Sequence, residues 1–453
     1  MAAKYRSICI DEKLLLAIEL FYLKSSMRMI KALSISYRLI SILAGIGLLA
    51  GALIFLSVEN IALFYIIQSI VAVQMLVEMG ISNTAIQFLQ TEMLSLRKIR
   101  CVIRGEKGAR KRFFGLYYSL AKYFFIASIF YIFGSLIYAI LIIPYGNDGY
   151  YIEALLPFIL IILAVAVKLN LNFYELLIEG AGEYKKVLLV RFLAILVAFG
   201  TALVFLYKFH NLFYMAIFYI INTFFCVIVY MSINKKFNRQ LTLNYLKFEK
   251  GELLQQVIAL QSKSLINWVA GYIYYFLITV IIYKISIPLF SSQVGTSFAI
   301  LMYIVLIGNS YLYVHNMKVL DYYNTDKIKY KSYFKKIKSE VFLLQIIITF
   351  GIFIALFIVR VFSIKISSIP DIKNIVLIIF NSFFMQYYNI MGFYIRVQKA
   401  EPFYKLFFAH SLISILAGII TFYFAGITAM LITYLIVSIA MYKFYKVRFE
   451  AMF

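Results

Sequence analysis

Lys168, Asn172, Glu175 and Glu179 recur at helical spacing, so a single helix would carry all four on one face, at the end of an otherwise apolar run. Ionisable groups among apolar residues are costly unless they face protein or water, so that face should meet a polar interior. Two readings of its chemistry stay open. Lys168 could draw an anionic group into a wet cavity, or it could pair with Glu175 or snorkel, leaving both glutamates at an interface.

Other candidates are more scattered. Gln74 and Glu78 share a face at the end of a second apolar run, and Lys122 lies inside a third. Lys263 and Asn267 are one turn apart and could meet a phosphate, beside the sole tryptophan, Trp268, a residue type that anchors helices at membrane interfaces. His315 has the side chain that titrates nearest neutral pH. Arg396 closes a run containing Asn381, Gln386 and Asn389, amides of the kind that pack helices together. Glu78, Glu175, Glu179 and His315 are the residues that would serve coupling to H⁺ or Na⁺.

Enzyme chemistry finds little footing. The sequence has no Walker A loop, no H-E-x-x-H and no G-x-S-x-G. Its three histidines and three widely spaced cysteines, Cys9, Cys101 and Cys226, suggest neither a metal centre nor a disulfide framework. A non-enzymatic protein without a cofactor is expected.

The elements that must position these groups follow from composition. Hydrophobic residues make up 64% of the 453 positions and charged residues 14%, which leaves too little polar surface for a water-soluble globule of this size. Apolar stretches of roughly 20 residues recur, each able to cross a bilayer core as a helix. Spans are expected at 35–56, 60–78, 115–141, 152–174, 188–207, 211–232, 264–283, 294–314, 341–362, 373–394, 406–423 and 427–442. The fold class is therefore all-α and polytopic, with about twelve transmembrane helices.

Charge placement orients the chain. Of 44 Lys and Arg, only Lys208, Lys284, Arg360, Lys365 and Lys373 fall on one side, and Lys122 and Lys168 fall within spans. The remainder lie in connections on the other side, including RKIR and RGEKGARKR after the second span. Cytoplasmic loops are enriched in these residues, so both termini are assigned to the cytoplasm. The same distribution explains the formal charge of +24 without nucleic acid, for which no sufficiently long soluble segment exists.

A long connection divides the spans into two six-helix lobes, at 35–232 and 264–442, joined by a cytoplasmic linker at 233–263. Residues 1–34 form a cytoplasmic or interfacial segment, in which KLLLAIELFYLK (13–24) is too short to cross and is expected as an interfacial helix; 443–453 is a cytoplasmic tail. The external connections are too short to fold as a catalytic domain.

VEMGISNTAIQF, EGAGEYKKVLLVR, QSKSLINWVAGYIYY, QVGTSFAI and YIRVQKAEPF, in that order along the chain, resemble the O-antigen flippase (Wzx) family of the multidrug/oligosaccharidyl-lipid/polysaccharide exporter superfamily. The resemblance implies transfer of an undecaprenyl-pyrophosphate-linked oligosaccharide across the bacterial cytoplasmic membrane by alternating access, with membrane lipids, a polysaccharide polymerase and chain-length proteins as partners. It makes Lys168, Lys122, Lys263 and Arg396 candidate diphosphate-binding cations, together with Asn172 and Asn267. A multidrug or cation antiporter of the same superfamily is the alternative, followed by a membrane glycosyltransferase or polymerase. With only Lys122 and Lys168 inside spans, the expected cavity is less cationic than that cargo would favour.

Overall fold

The computed structural model describes residues 12–78, 81–93, 95–99, 102–142, 150–233, 265–361, 367–396, 401 and 403–452. The elements are α1 (Glu12–Phe55), α2 (Val58–Glu78), α3 (Ile81–Met93), a hairpin of β1 (Leu96–Ile99) and β2 (Val102–Gly105), α4 (Lys107–Ile142), α5 (Tyr150–Gly180), α6 (Tyr184–Phe209) and α7 (Phe213–Ile233). The second half contains α8 (Leu265–Ile285), α9 (Pro288–Val314), α10 (Asn316–Thr325), α11 (Lys327–Val361), α12 (Ile372–Arg396) and α13 (Tyr404–Glu450). The protein is a polytopic all-α membrane protein.

Among the described residues, eleven helices are long and apolar enough to cross a bilayer. The last of them, α13, is two spans. It runs for 47 residues, more than twice the length needed to cross, and breaks at Gly426 with φ 77° and ψ −167°. Only glycine visits that region at low cost, because a Cβ would collide with the neighbouring backbone. The break falls between the two spans expected at 406–423 and 427–442. Gly426→Ala is expected to destabilise the protein by about 1–3 kcal/mol, read as a lower midpoint of thermal unfolding in detergent; an unchanged midpoint would show that the corner does not depend on this backbone conformation.

Packing separates two apolar cores. One is built almost wholly from α1 to α7, with Phe113, Phe114, Phe124, Tyr131 and Phe158 among its largest buried side chains. The other is built from α8 to α13 around Tyr274, Tyr394, Tyr434 and Tyr445. Rows of exposed apolar residues remain on the outside, such as Phe125, Ile126, Ile129, Phe130 and Phe133 on α4. In a membrane, lipid rather than protein is the partner of such a face.

Three features depart from the expected layout. Residues 13–24 do not form a separate interfacial helix: they continue without a break into the first span as the single 44-residue α1. The connection after the second span holds α3 and an antiparallel hairpin, with Arg97 opposite Arg104 and Lys98 opposite Ile103. The seventh span contains a π-helical turn at Ile273–Leu277, an extra residue in the helix of a kind often found at functional sites. The linker at 234–263 lies outside the described residues.

Candidate functional site

α5 presents the expected polar face, and α6 supplies the group that completes it. Lys168 Nζ donates to Glu175 Oε1 at 2.6 Å, and Arg191 Nε donates to Glu175 Oε2 at 2.7 Å. Arg191 Nη1 reaches Glu179 Oε1 at 3.0 Å, so a single guanidinium bridges two carboxylates one turn apart. Glu175 is 1% and Glu179 3% exposed. Cys226 Sγ on α7 sits 3.5 Å from Lys168 Nζ, and Tyr230 follows it one turn later. Two cations meet two carboxylates, and the cluster is neutral.

This geometry selects the pairing reading of Lys168: its charge is committed to Glu175 and is not presented bare to a cavity. By sequence Arg191 belongs with the cytoplasmic loop cations, because it lies near the start of α6 beside Lys185 and Lys186. Its position seven residues after Tyr184 on a helix that packs beside α5 is what turns it inward. A second, smaller constellation continues the face. Asn172 Nδ2 is 3.5 Å from Glu78 Oε2, and Ser82 Oγ donates to the other Glu78 oxygen.

The remaining candidates lie apart. Lys122 is exposed on α4, on the same face as Phe125, Ile126 and Ile129, so its stem runs along apolar surface. Asn267 and Arg396 do converge, on an acid that no helical spacing marks: Asn267 Nδ2 donates to Glu401 Oε2 at 3.0 Å and Arg396 Nε donates to the same oxygen at 3.2 Å. Lys263 lies outside the described residues. His315 occupies the break between α9 and α10, with Nδ1 2.6 Å from the Tyr333 hydroxyl and its ring tilted against Tyr311. Burial lowers its pKa, with Glu340 opposing the shift, so the imidazole is neutral at neutral pH.

Between the halves lies a narrow cleft whose walls include Tyr65 and Gln68 from α2, Tyr275 and Thr279 from α8, and Met302 and Tyr303 from α9. Among the described residues, no charged side chain lines it. Hydrogen bonds that cross from one half to the other include Tyr65 Oη with Thr296 Oγ1 at 2.8 Å and Tyr272 Oη to Tyr138 Oη at 3.3 Å. Gly295 lets α9 approach α2, since a Cβ there would overlap the Tyr65 ring near its attachment point. Tyr65 and Gly295 are each the eighth residue of their helices, which begin on the side that the charge distribution assigns to the exterior. The halves therefore meet tightly toward that side.

This architecture has relatives among solved structures. An outward-facing multidrug resistance MATE family transporter of the MOP superfamily superposes with a TM-score of 0.59 at 12% identity, over 94% of this chain and 96% of the other. The MATE multidrug transporter DinF-BH in complex with R6G gives 0.56 at 14%, over 93% and 94%. The fold is that of the MATE transporters. A MOP superfamily transporter from Pyrococcus furiosus, whose binding-pocket polarity is described as reversed, gives 0.54 at 11%, over 95% and 96%. No protein-family profile and no curated protein sequence matches the chain. At these identities the similarity speaks for the fold alone.

Proposed function

We propose that this MATE-fold protein is a flippase of the bacterial cytoplasmic membrane. It carries an undecaprenyl-pyrophosphate-linked oligosaccharide from the cytoplasmic to the external leaflet for O-antigen or other surface polysaccharide synthesis. The observation that carries the reading is the cleft between the two halves. A glycan is a neutral, hydroxyl-rich cargo that stacks on aromatic faces and bonds to amides, and Tyr65, Gln68, Tyr275 and Tyr303 offer those groups in a wall without charge. The isoprenoid tail stays in lipid, where it needs no binding site, and the diphosphate is first met at the cytoplasmic rim, where Arg396 and the loop cations lie, before it crosses with the glycan.

Alternating access supplies the movement, with the Tyr65–Thr296 contact closing the external side. Glu175 and Glu179 are the buried carboxylates whose pairing with Arg191 an ion could exchange. A multidrug antiporter is the second reading. It draws on the same uncharged aromatic wall, which would also accept a planar apolar compound.

The test is deletion of the gene in its own host, followed by leaflet-resolved labelling of the lipid-linked oligosaccharide. Accumulation of the intermediate on the cytoplasmic leaflet is expected, with surface polysaccharide lost. Wild type should restore it fully, and Tyr275→Ala or Gln68→Ala, at equal protein level, only in part. Unchanged surface polysaccharide and unchanged leaflet distribution would overturn the flippase assignment in favour of the antiporter.

A further inference from the structure

We propose that His410 is a proton-binding site in the C-terminal half and that its protonation is coupled to the cleft through Tyr274. The proposal rests on the reading of the protein as an alternating-access transporter and is independent of what it carries.

The first support is a hydrogen-bond chain that joins His410 to Tyr274. Ser438 Oγ donates to Asn381 Oδ1 at 2.7 Å, and Asn381 Nδ2 donates to Tyr274 Oη at 2.9 Å. In this amide orientation Ser438 Oγ has its hydrogen on Asn381 and accepts from His410 Nε2, 3.1 Å away. This assigns the Nε2–H tautomer and leaves Nδ1 as a bare acceptor. His410 is 0% exposed, and among the described residues Nδ1 has no partner. A buried acceptor left open in this way calls for an explanation.

The second support is the surroundings of the ring. Tyr274, Tyr388 and Tyr445 set their centroids 5.4, 5.7 and 6.3 Å from it, and Phe407 closes the box at 6.4 Å. Tyr274 and Tyr388 lie within the distance at which an aromatic ring can attract a cation over its face. The titratable groups facing His410 from α8, α12 and α13 are all tyrosines. The hydroxyls of Ser414, one turn along from His410, and of Tyr445 are also buried without a partner, so acceptors for a new Nδ1–H stand close to the ring.

In the conformation described, Nδ1 lacks an acceptor, and a buried unpaired charge is expensive. Binding a proton therefore requires Ser414 or Tyr445 to turn toward the ring, or water to enter. Either change loads the chain that ends at Tyr274. That residue belongs to the π-helical turn Ile273–Leu277, whose next two residues, Tyr275 and Phe276, wall the cleft. A proton bound among α8, α12 and α13 thus shifts the cleft wall.

The chain has only three histidines, so ¹³Cε1-histidine NMR of the full protein in lipid nanodiscs gives few signals, assigned by His210→Gln, His315→Gln and His410→Gln. The His410 signal of the wild type is expected to move from neutral to imidazolium positions as the pH is lowered from about 8 to about 4. Emission of the sole tryptophan, Trp268 on α8, should change at the same midpoint. The emission step should vanish in His410→Gln, persist in His315→Gln and shift its midpoint in Ser414→Ala. A His410 signal that stays neutral throughout, or an emission step that survives His410→Gln, overturns the proposal. No cargo is needed for either readout, so failure of the glycolipid assignment would leave this result intact.

Discussion

Arg191→Ala is expected to destabilise the protein by about 3–5 kcal/mol, the range seen when one partner of a buried ion pair is removed. The loss is large because one guanidinium serves two carboxylates. Without it, Glu179 loses its cation outright and Glu175 keeps only Lys168, while both remain almost fully buried. Cys226 provides the reporter, since it is fully buried beside Lys168 and becomes reactive when the α5–α6–α7 packing opens. With Cys9 and Cys101 changed to serine, a fluorogenic maleimide should label Cys226 at a clearly lower temperature in the variant. Adding Glu175→Gln and Glu179→Gln to Arg191→Ala should recover part of the loss, because neutral amides tolerate burial better than unpaired carboxylates. Equal melting of Arg191→Ala and wild type would mean that the cluster is solvated and holds nothing together.

Gly295→Val should hold the external side open. Its Cβ would fall on the ring of Tyr65 near the point where the ring joins the chain, so the tyrosine cannot yield by swinging its far end. Tyr65 is 5% exposed and its hydroxyl is tied to Thr296, so the cheaper relief is separation of α9 from α2. In a background without native cysteines, Gln68→Cys on the cleft wall should resist a membrane-impermeant maleimide added from outside. Combined with Gly295→Val it should label readily, and transport should fail. Adding Tyr65→Ala restores the missing volume and should restore protection. If Gln68→Cys is equally protected with and without Gly295→Val, the external closure does not depend on this contact.

The two results separate different levels of organisation. The Arg191 cluster stabilises one half internally, whereas Gly295 governs how the halves meet. Loss of transport with retained thermal stability is expected for Gly295→Val, and loss of both for Arg191→Ala.

Legibility in the sequence followed the physics of each feature. The span pattern was readable because a helix in lipid must satisfy its backbone internally and cover itself with roughly 20 apolar residues, whatever its neighbours are. The last two spans, 406–423 and 427–442, were readable for the same reason, whereas the backbone that turns the chain between them at Gly426 shows only in the structure. The face bearing Lys168, Asn172, Glu175 and Glu179 followed from helical periodicity alone. By contrast, the hairpin at Leu96–Gly105 was hidden in a run whose basic residues read as an ordinary cytoplasmic loop.

What the sequence by itself determined is the class of the protein: a polytopic helical chain, the order of its spans and the residues that share a helix face. These depend on local period and on transfer to lipid. What only the tertiary structure decided is partnership. Whether Lys168 is a bare cation or paired, whether Arg191 belongs to a loop or to the interior, and whether His410 is one more aromatic neighbour or the head of a directed chain all depend on helices distant in sequence. Charges and hydrogen bonds act over a few ångströms, so their meaning is set by which helix packs alongside, and helix period carries no record of that choice.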